Sequence, residues 1–174
     1  MKAVRWKRFT WTLSTLPAQV PALPERYTVR AASREDLEIV KHVIFSAFAL
    51  DSAWSDTLAT AREWLEHQIG LAFERESVPA LVMQHGQRII AASALTTEFD
   101  AETHLLSGPC VLMEYHNRGI GSALLFHSLR QLKQAGLEQV SAVTKENVVV
   151  AKFLYPKFGS TQADHAFEPG LAST

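Results

Sequence analysis

Apolar side chains recur every three or four residues in three long stretches of the chain, which is the spacing of amphipathic helices. Ser33 precedes the first stretch as a helix N-cap, and Gly136 follows the last one as a helix stop. The three apolar faces consist of Leu37, Val40, Ile44 and Phe48; of Leu58, Ala61, Leu65, Ile69 and Ala72; and of Ile120, Leu124, Leu125, Leu129 and Leu132. The pattern predicts three helices. A fourth helix is expected around Tyr155, bending or ending at Pro156, which lacks a backbone donor.

Shorter apolar runs lie between these helices and predict strands. Two of the runs flank His85-Gly86, which predicts a tight β-hairpin. The expected strands are residues 27–31, 80–84, 88–95, 108–113 and 139–144, with a short last strand at 164–167. The order of strands and helices predicts an α/β domain, of the α+β type with a mixed sheet, at residues 27–174.

Residues 1–26 are interpreted as an N-terminal extension of this domain. The second half of the extension contains three prolines, which is typical of a linker. Its first half alternates apolar and basic side chains between Val4 and Phe9, which predicts an added strand. Such a strand would cover a free edge of the sheet or pair with a second copy of the chain in a homodimer.

The most informative motif is the stretch His116-Asn117-Arg118-Gly119-Ile120-Gly121, which opens the third predicted helix. The two glycines permit a tight backbone and the close approach of a ligand. The first N–H groups of the helix attract anions, and Arg118 adds a positive charge beside them. The motif therefore predicts a phosphate or pyrophosphate site.

Three families of phosphate-binding loops share this arrangement. A P-loop requires Lys and then Ser or Thr after its last glycine, whereas Ser122 and Ala123 follow here. A dinucleotide-binding loop would use Ala123 as its third small residue and Glu138 as its acid, but too little chain follows for the remaining βαβ units. The third option is the acetyl-CoA loop of the GNAT acyltransferases, Gln/Arg-x-x-Gly-x-Gly/Ala, which the stretch resembles with His116 at the first position.

A second stretch resembles the same family at the expected distance. Residues 151–159 read Ala-Lys-Phe-Leu-Tyr-Pro-Lys-Phe-Gly, similar to the family pattern Ala-x-x-Leu-Tyr-x-Lys-x-Gly-Phe, with Ser160 in place of the final Phe. The resemblance covers residues 27–160. It implies a GNAT-like acyl-CoA N-acyltransferase fold, in which a mostly antiparallel central sheet is flanked by helices.

The resemblance also implies a reaction and a set of site residues. Acetyl-CoA would be the co-substrate, the acceptor would be a primary amine of a small molecule or protein, and Tyr155 would protonate the leaving thiolate. The cofactor-binding residues that it implies are Cys110, Val111, His116, Asn117, Arg118, Gly119, Ile120, Gly121, Ser122 and Asn147. Asn147 stands four residues before Ala151, whereas the family's Asn stands three before its Ala. A non-catalytic acyl-CoA-binding protein, serving as a sensor or structural subunit, is the alternative.

Composition limits the expected binding partners and the expected cellular compartment. Apolar residues form 47% of the 174-residue chain and the net charge is −1, which predicts neither a nucleic-acid nor a membrane partner. Cys110 is the single cysteine, so no internal disulfide is possible, and a reducing, cytoplasmic setting is expected. The seven histidines lack the paired spacing of metal ligands, which predicts no metal site.

Charge is unevenly distributed along the chain. Residues 31–106 carry 5 basic and 12 acidic side chains, whereas residues 107–160 carry 6 basic and 3 acidic ones. A polyanionic cofactor facing a cationic acceptor would produce this asymmetry, and so would ordinary solvated helix faces. Asp51 and Trp54 are therefore predicted to contact the acceptor's ammonium group, with a capping loop and a packed Trp as the alternative. The general base stays open between bulk water and Glu98, Asp100, Glu102, His104 and Glu114.

Overall fold

The computed structural model describes residues 4–167 of the chain, which contain seven strands and four α-helices. The strands are β1 (Trp6–Thr12), β2 (Tyr27–Ala31), β3 (Ala80–His85), β4 (Arg88–Ala94), β5 (Cys110–Val111), β6 (Gln139–Lys145) and β7 (Thr161–His165). The helices are α1 (Leu37–Leu50), α2 (Leu58–Arg75), α3 (Ile120–Gln134) and α4 (Val149–Phe153). All strand pairs are antiparallel. The predicted α/β fold is confirmed, but its strands are divided between two antiparallel sheets, where one mixed sheet was expected.

The four-stranded sheet has the order β2-β3-β4-β5 and is covered on both faces. Val82 and Ala92 on one face pack in a core with α1 and α2, whereas Leu81 and Ala91 on the other face pack with α3. This double burial explains why β3 and β4 are apolar at successive positions. The predicted β3–β4 hairpin is confirmed, with a positive φ of 63° at Gly86 in its turn.

β5 is shorter than the strand predicted at 108–113, because only Cys110–Val111 pair with β4. Gly108 has a left-handed φ of 66°, and Pro109 carries no N–H group, so the chain bends just before the strand. A 3-10 turn at Met113–Tyr115 follows. The apolar run predicted the burial of this segment but missed its bends.

β1 lies in the centre of the three-stranded sheet, between β6 and β7. Its register places Trp6 opposite Lys145 on one side and opposite His165 on the other. Phe9 and Trp11 are each only 1% exposed and belong to the core that α3 covers. The expected N-terminal strand is thus confirmed, but it forms the interior of a sheet instead of covering a free edge.

The segment from Thr103 to Leu106 joins the two sheets. Leu105 bridges Leu95 just after β4, and the N–H groups of His104 and Leu105 both donate to Ser141 O on β6. Beyond this junction, β5 and β6 are not paired within the described residues. A cleft therefore lies between these two strands.

The ends of the helices follow the predicted signals with one correction, at α4, and the last strand needs a second correction. Ser33 forms a capping box with Asp36, and a 3-10 turn leads from there into α1. α4 ends at Phe153, so the helix predicted around Tyr155 stops two residues before it. The last strand covers Thr161–His165 instead of the expected 164–167. Within the described chain, no helix combines the length and apolar character that crossing a bilayer requires.

Candidate functional site

A cavity of about 410 Å³, called the main cleft from here on, lies between β5, the start of α3 and α4. Its lining includes eight of the predicted cofactor-binding residues, namely Cys110, Val111, His116, Asn117, Gly119, Ile120, Gly121 and Ser122. Asp51 and Trp54 also line it. Arg118 and Asn147 do not. The fold thus brings the glycine motif, β5 and the turn after α1 around one space.

The glycine motif forms one end of the main cleft. Gly119 is the N-cap residue of α3 with a φ of 76°. The first bond inside the helix runs from Ala123 N to Gly119 O, so the three N–H groups before Ala123 have no acceptor in the helix. The helix dipole adds positive potential at the same place. This end of the cleft is therefore suited to bind a phosphate or pyrophosphate.

A side chain at Gly121 would require the neighbouring Leu154 to give way by a few tenths of an ångström. A Cβ at this position would lie 3.1 Å from Leu154 Cδ1, so Leu154 would have to move. A branched side chain would, in addition, occupy the space in front of the free N–H groups. The second glycine of the motif therefore serves both packing and access.

β5 presents one backbone edge to the main cleft, because its other edge pairs with β4. His116 Nε2 lies 2.9 Å from Val111 O, which ties the glycine motif to this strand. Burial raises the pKa of the Cys110 thiol to about 12, so the thiol stays neutral and is no nucleophile at ordinary pH. An extended amide chain can add to such an edge as a further strand would.

Arg118 is turned away from the main cleft. Its Nη1 donates a hydrogen bond of 3.3 Å to Tyr27 Oη, and its guanidinium lies 5.2 Å from the centre of the Tyr115 ring. The guanidinium of Arg88 lies 5.8 Å from the same ring. Arg118 therefore adds positive charge beside the glycine motif without filling the space in front of the N–H groups.

A second, smaller cavity of about 30 Å³, called the inner cavity, lies beside the main cleft. Its lining includes six aromatic residues, Trp6, Phe48, Trp54, Trp64, Tyr155 and Phe167. It shares Phe48, Trp54, Ser107 and Thr144 with the main cleft. These four residues, called the shared wall, line both cavities, so the main cleft and the space that Tyr155 borders adjoin there.

Tyr155 is 2% exposed and packs with its ring against Phe9 and Trp11. Burial raises the pKa of its hydroxyl well above the ordinary value, so the group stays protonated. The hydroxyl lies directly against the Cα of Gly108, where a Cβ would collide with it. Gly108 therefore sets the position of Tyr155, and the dipeptide Gly108-Pro109 was the sequence signal that could have revealed a special backbone there.

The turn after α1 is held by hydrogen bonds and an ion pair. Asp51 accepts from Ala53 N with one oxygen and from Val149 N with the other, at 3.1 and 3.0 Å. The buried ammonium group of Lys145 lies 2.7 Å from Asp56 Oδ1 and 5.4 Å from the centre of the Trp54 ring. Lys145 was missed in the sequence, because only the register of β6 brings it to this turn.

The candidates for a general base lie outside the main cleft. Glu98, Asp100, Glu102, His104 and Glu114 are all absent from its lining. His104 is 4% exposed, accepts from Ser141 N at its Nδ1, and has its Nε2 3.0 Å from Glu98 O. Burial lowers the pKa of His104, and the ring connects the two sheets in its neutral form.

Comparison with known proteins identifies one family. A family model described as the acetyltransferase (GNAT) family matches residues 42–159, which is more than half of the chain. This match includes the glycine motif and Tyr155. No curated protein sequence matches the chain.

Solved structures share the fold at low sequence identity. A GCN5-related N-acetyltransferase from Sphaerobacter thermophilus is 20% identical, with a TM-score of 0.64 over 94% of this chain and 50% of that chain. A GNAT-family acetyltransferase from Colwellia psychrerythraea is 19% identical, with a TM-score of 0.63 over 93% of this chain and 54% of that chain. The glucosamine N-acetyltransferase region of a fungal multi-domain β-N-acetylglucosaminidase is 17% identical, with a TM-score of 0.59 over 94% of this chain and 20% of that one. The chain spans about half or less of the length of these proteins.

Proposed function

Because the chain belongs to the GNAT acetyltransferase family, we propose that it transfers an acetyl group from acetyl-CoA to a primary amine. The observation that carries this proposal is the main cleft, where the free N–H groups of α3 and the open edge of β5 line one space. The N–H groups suit the pyrophosphate of CoA, and the edge of β5 suits its pantetheine amide chain.

The proposed reaction is direct attack. The lone pair of the neutral amine forms a bond to the thioester carbon, and the C–S bond then breaks, with its electron pair going to sulfur. The thiolate takes a proton from Tyr155 Oη, and the proton lost by the nitrogen returns to Tyr155 through solvent. Burial raises the pKa of Tyr155, which keeps the proton on the hydroxyl until the thiolate forms. The same apolar surroundings would raise the pKa of the CoA thiol, which offsets the weaker acidity of the hydroxyl.

The acceptor side is proposed to include Trp54, because its ring lies in the shared wall between the two cavities. Asp51 lines the main cleft with both oxygens already accepting backbone hydrogen bonds. We expect Asp51→Asn and Trp54→Ala to raise the KM for the amine and to leave the KM for acetyl-CoA unchanged. A rise in both KM values would instead indicate that the turn supports the cofactor.

Cofactor binding is tested by Gly121→Val, which places a branched side chain against Leu154 and in front of the free N–H groups. We expect calorimetry to show no CoA binding, with an unchanged circular dichroism spectrum. Gly70→Val is the matched control, because a Cβ there meets nothing within 4 Å. A wild-type protein without affinity for CoA would refute the proposed function.

A non-catalytic acyl-CoA-binding protein is the second candidate, and the position of Tyr155 favours it. Tyr155 borders the inner cavity and is absent from the lining of the main cleft. Turnover of acetyl-CoA with a panel of amines separates the two candidates. For the enzyme, we expect Tyr155→Phe to lower kcat by roughly 10²-fold. An unchanged kcat between pH 6 and 9 would remove Tyr155 from the mechanism.

A further inference from the structure

Lys145, at the end of β6, places a charged group in the interior of the protein. Its side chain is only 4% exposed, although an ammonium group is costly to remove from water. Its Nζ donates to Ala53 O at 2.6 Å, to Asp56 Oδ1 at 2.7 Å and to Thr57 Oγ1 at 3.2 Å. Three acceptors thus match the three hydrogens of the group. All three lie in the turn after α1, so a single side chain joins this turn to β6.

The peptide group that Lys145 holds is the one that leads into Trp54. Ala53 O belongs to this peptide group, and the Lys145 ammonium also lies 5.4 Å from the centre of the Trp54 ring. Trp6 stands directly opposite Lys145 in the pairing of β1 with β6, and its ring centre lies 6.1 Å from that of Trp54. Phe48 lies at 4.9 Å from the same ring centre. Trp54 is therefore held at its backbone by Lys145 and around its ring by aromatic side chains of β1 and α1.

A second contact ties the turn to the chain that follows β6. Asp51, at the start of the turn, accepts from Val149 N of α4 at 3.0 Å. The turn is thus fixed both to the end of β6 and to the start of α4. Thr144, the neighbour of Lys145, belongs to the shared wall, as Trp54 does. The end of β6 therefore determines two of the four residues of that wall, Thr144 directly and Trp54 through Lys145.

We infer that Lys145 is a positioning residue for the acceptor, because it sets the place of the Trp54 ring in the shared wall without contacting the amine. The inference rests on the proposed acetyl transfer, in which Trp54 belongs to the acceptor side. Lys145 is absent from the linings of the main cleft and the inner cavity, so its effect on the amine passes through Trp54. An ion pair of this kind adds little net stability, because desolvation of the ammonium group offsets the attraction. What it provides is one fixed geometry of the turn.

The role is tested by Lys145→Met, which keeps a straight apolar stem and loses the ammonium group. We expect the KM for the amine to rise about tenfold, because a displaced Trp54 no longer orients it. The KM for acetyl-CoA should stay unchanged, since the glycine motif and β5 are held by other contacts. The amine is whichever of 1-aminopentane, 2-phenylethylamine and Nα-acetyl-lysine amide the wild type acetylates fastest.

A second variant acts from the other side of the ion pair and decides alone if Lys145→Met does not fold. The Asp56 side chain is 66% exposed, so Asp56→Ala leaves no buried gap and should raise the KM for the amine about threefold. Lys41→Met is the matched control. Lys41 Nζ lies 3.8 Å from Glu66 Oε1, but Lys41 lines neither the main cleft nor the inner cavity, so its loss should leave both KM values unchanged.

The path through Trp54 is tested by combining two variants. If Lys145 acts through this ring, Lys145→Met should add no further rise in the KM for the amine to that of Trp54→Ala. A merely structural role of Lys145 would leave the two effects independent. Their rises in KM would then multiply, and this result would overturn the inference.

A measurement without acceptor checks the position of the ring itself. Fluorine NMR of the protein labelled with 5-fluorotryptophan gives one signal for each of the four tryptophans, and Trp54→Phe identifies that of Trp54. Lys145→Met should shift the Trp54 signal more than that of Trp11, which lies elsewhere in the core. Lys41→Met should leave all four signals unchanged.

Each remaining outcome also decides the inference. An unchanged KM for the amine in Lys145→Met, an equal rise in both KM values, or an unmoved Trp54 signal overturns it. CoA binding without turnover of any of the three amines overturns it as well and favours the non-catalytic candidate. Absence of CoA binding in the wild-type protein refutes the proposed function, and the inference fails with it.

Discussion

The two sheets of this molecule are assembled from different parts of the chain. The four-stranded sheet pairs strands in the order in which they occur, from β2 to β5. The three-stranded sheet places β1 between β6 and β7, so Trp6 lies opposite both Lys145 and His165. Both sheets are antiparallel, so they differ mainly in how far apart their paired strands lie along the chain. Local patterns reveal the first sheet, whereas the second depends on contacts that no local pattern encodes.

Ion pairs in the two sheets differ in the same way. Arg30 on β2 and Asp36 just before α1 are six residues apart, and their side chains are partly buried. Lys7 on β1 and Asp164 on β7 are 157 residues apart, and the Asp164 side chain is 87% exposed. The three-stranded sheet therefore depends on its apolar face for stability.

Deleting residues 1–13 is expected to have the largest effect. The deletion removes β1, takes Phe9 and Trp11 out of the core, and leaves β6 and β7 without their common partner. Loss of one large buried aromatic side chain costs about 3–5 kcal/mol, while a whole domain is stable by about 5–15 kcal/mol. We expect thermal denaturation, followed by circular dichroism, to lose its cooperative transition.

The control for this deletion keeps β1 and removes its ion pair. Lys7→Gln abolishes the contact with Asp164 at the surface and should leave the melting curve unchanged. If the deletion variant melts like the wild type, the four-stranded sheet is stable by itself and β1 is accessory.

Gly108→Ala is expected to have the next largest effect, at the bend where the chain passes from the junction of the sheets into β5. The new Cβ collides with the Tyr155 hydroxyl, and the left-handed φ of 66° is unfavourable for alanine. Overpacking and the backbone conformation together should cost about 2–4 kcal/mol of unfolding free energy. Urea denaturation measures this loss.

Two further variants separate the cost of the collision from the cost of the left-handed backbone conformation. Gly86 has a similar φ of 63° but open space around it, so Gly86→Ala should show the backbone cost alone. In a Tyr155→Phe background, which lacks the hydroxyl, the new Cβ would still lie 3.0 Å from the ring carbon Cζ, so Gly108→Ala should cost less than in the wild type but more than Gly86→Ala. Equal losses with and without the hydroxyl would mean that Gly108 does not position Tyr155.

The ion pair beside β2 should have the smallest effect, visible as a dependence on pH. Hydrogen bonding to Arg30 lowers the pKa of Asp36 to about 2 from its usual value of 3.8. Since the pKa is lower in the folded state, the pair stabilises the protein fully above about pH 4, and this stability is lost as the pH falls toward 2. With the Arg30 side chain 38% exposed, the contribution is about 1 kcal/mol.

Asp36→Asn tests this contribution. The variant should lose about 1 kcal/mol of unfolding free energy at pH 7 in urea denaturation. Its stability should also depend less on pH between 4 and 2 than that of the wild type. Parallel pH curves for the two proteins would show that other carboxyl groups cause the acid sensitivity.

The elements that were predictable from the sequence are those whose signals are local. The α3 face, the β3–β4 hairpin and the Ser33 cap each follow from residues within one element, and so does the glycine motif. The position of β1, the short β5 and the contact of Lys145 with the turn after α1 depend on residues far apart. The direction of the Arg118 side chain was missed for the same reason, because Tyr27 belongs to another strand.

The central position of β1 sets an order of folding events during synthesis. β1 is translated before the other strands, but its partners β6 and β7 begin only at residues 139 and 161. At about 5–20 residues per second, β1 leaves the ribosome roughly 10 s or more before β7. The four-stranded sheet can close in that interval, whereas Trp6, Phe9 and Trp11 stay exposed to water and to chaperones. This sheet therefore folds late, and the slow step of folding is expected to be the insertion of β1.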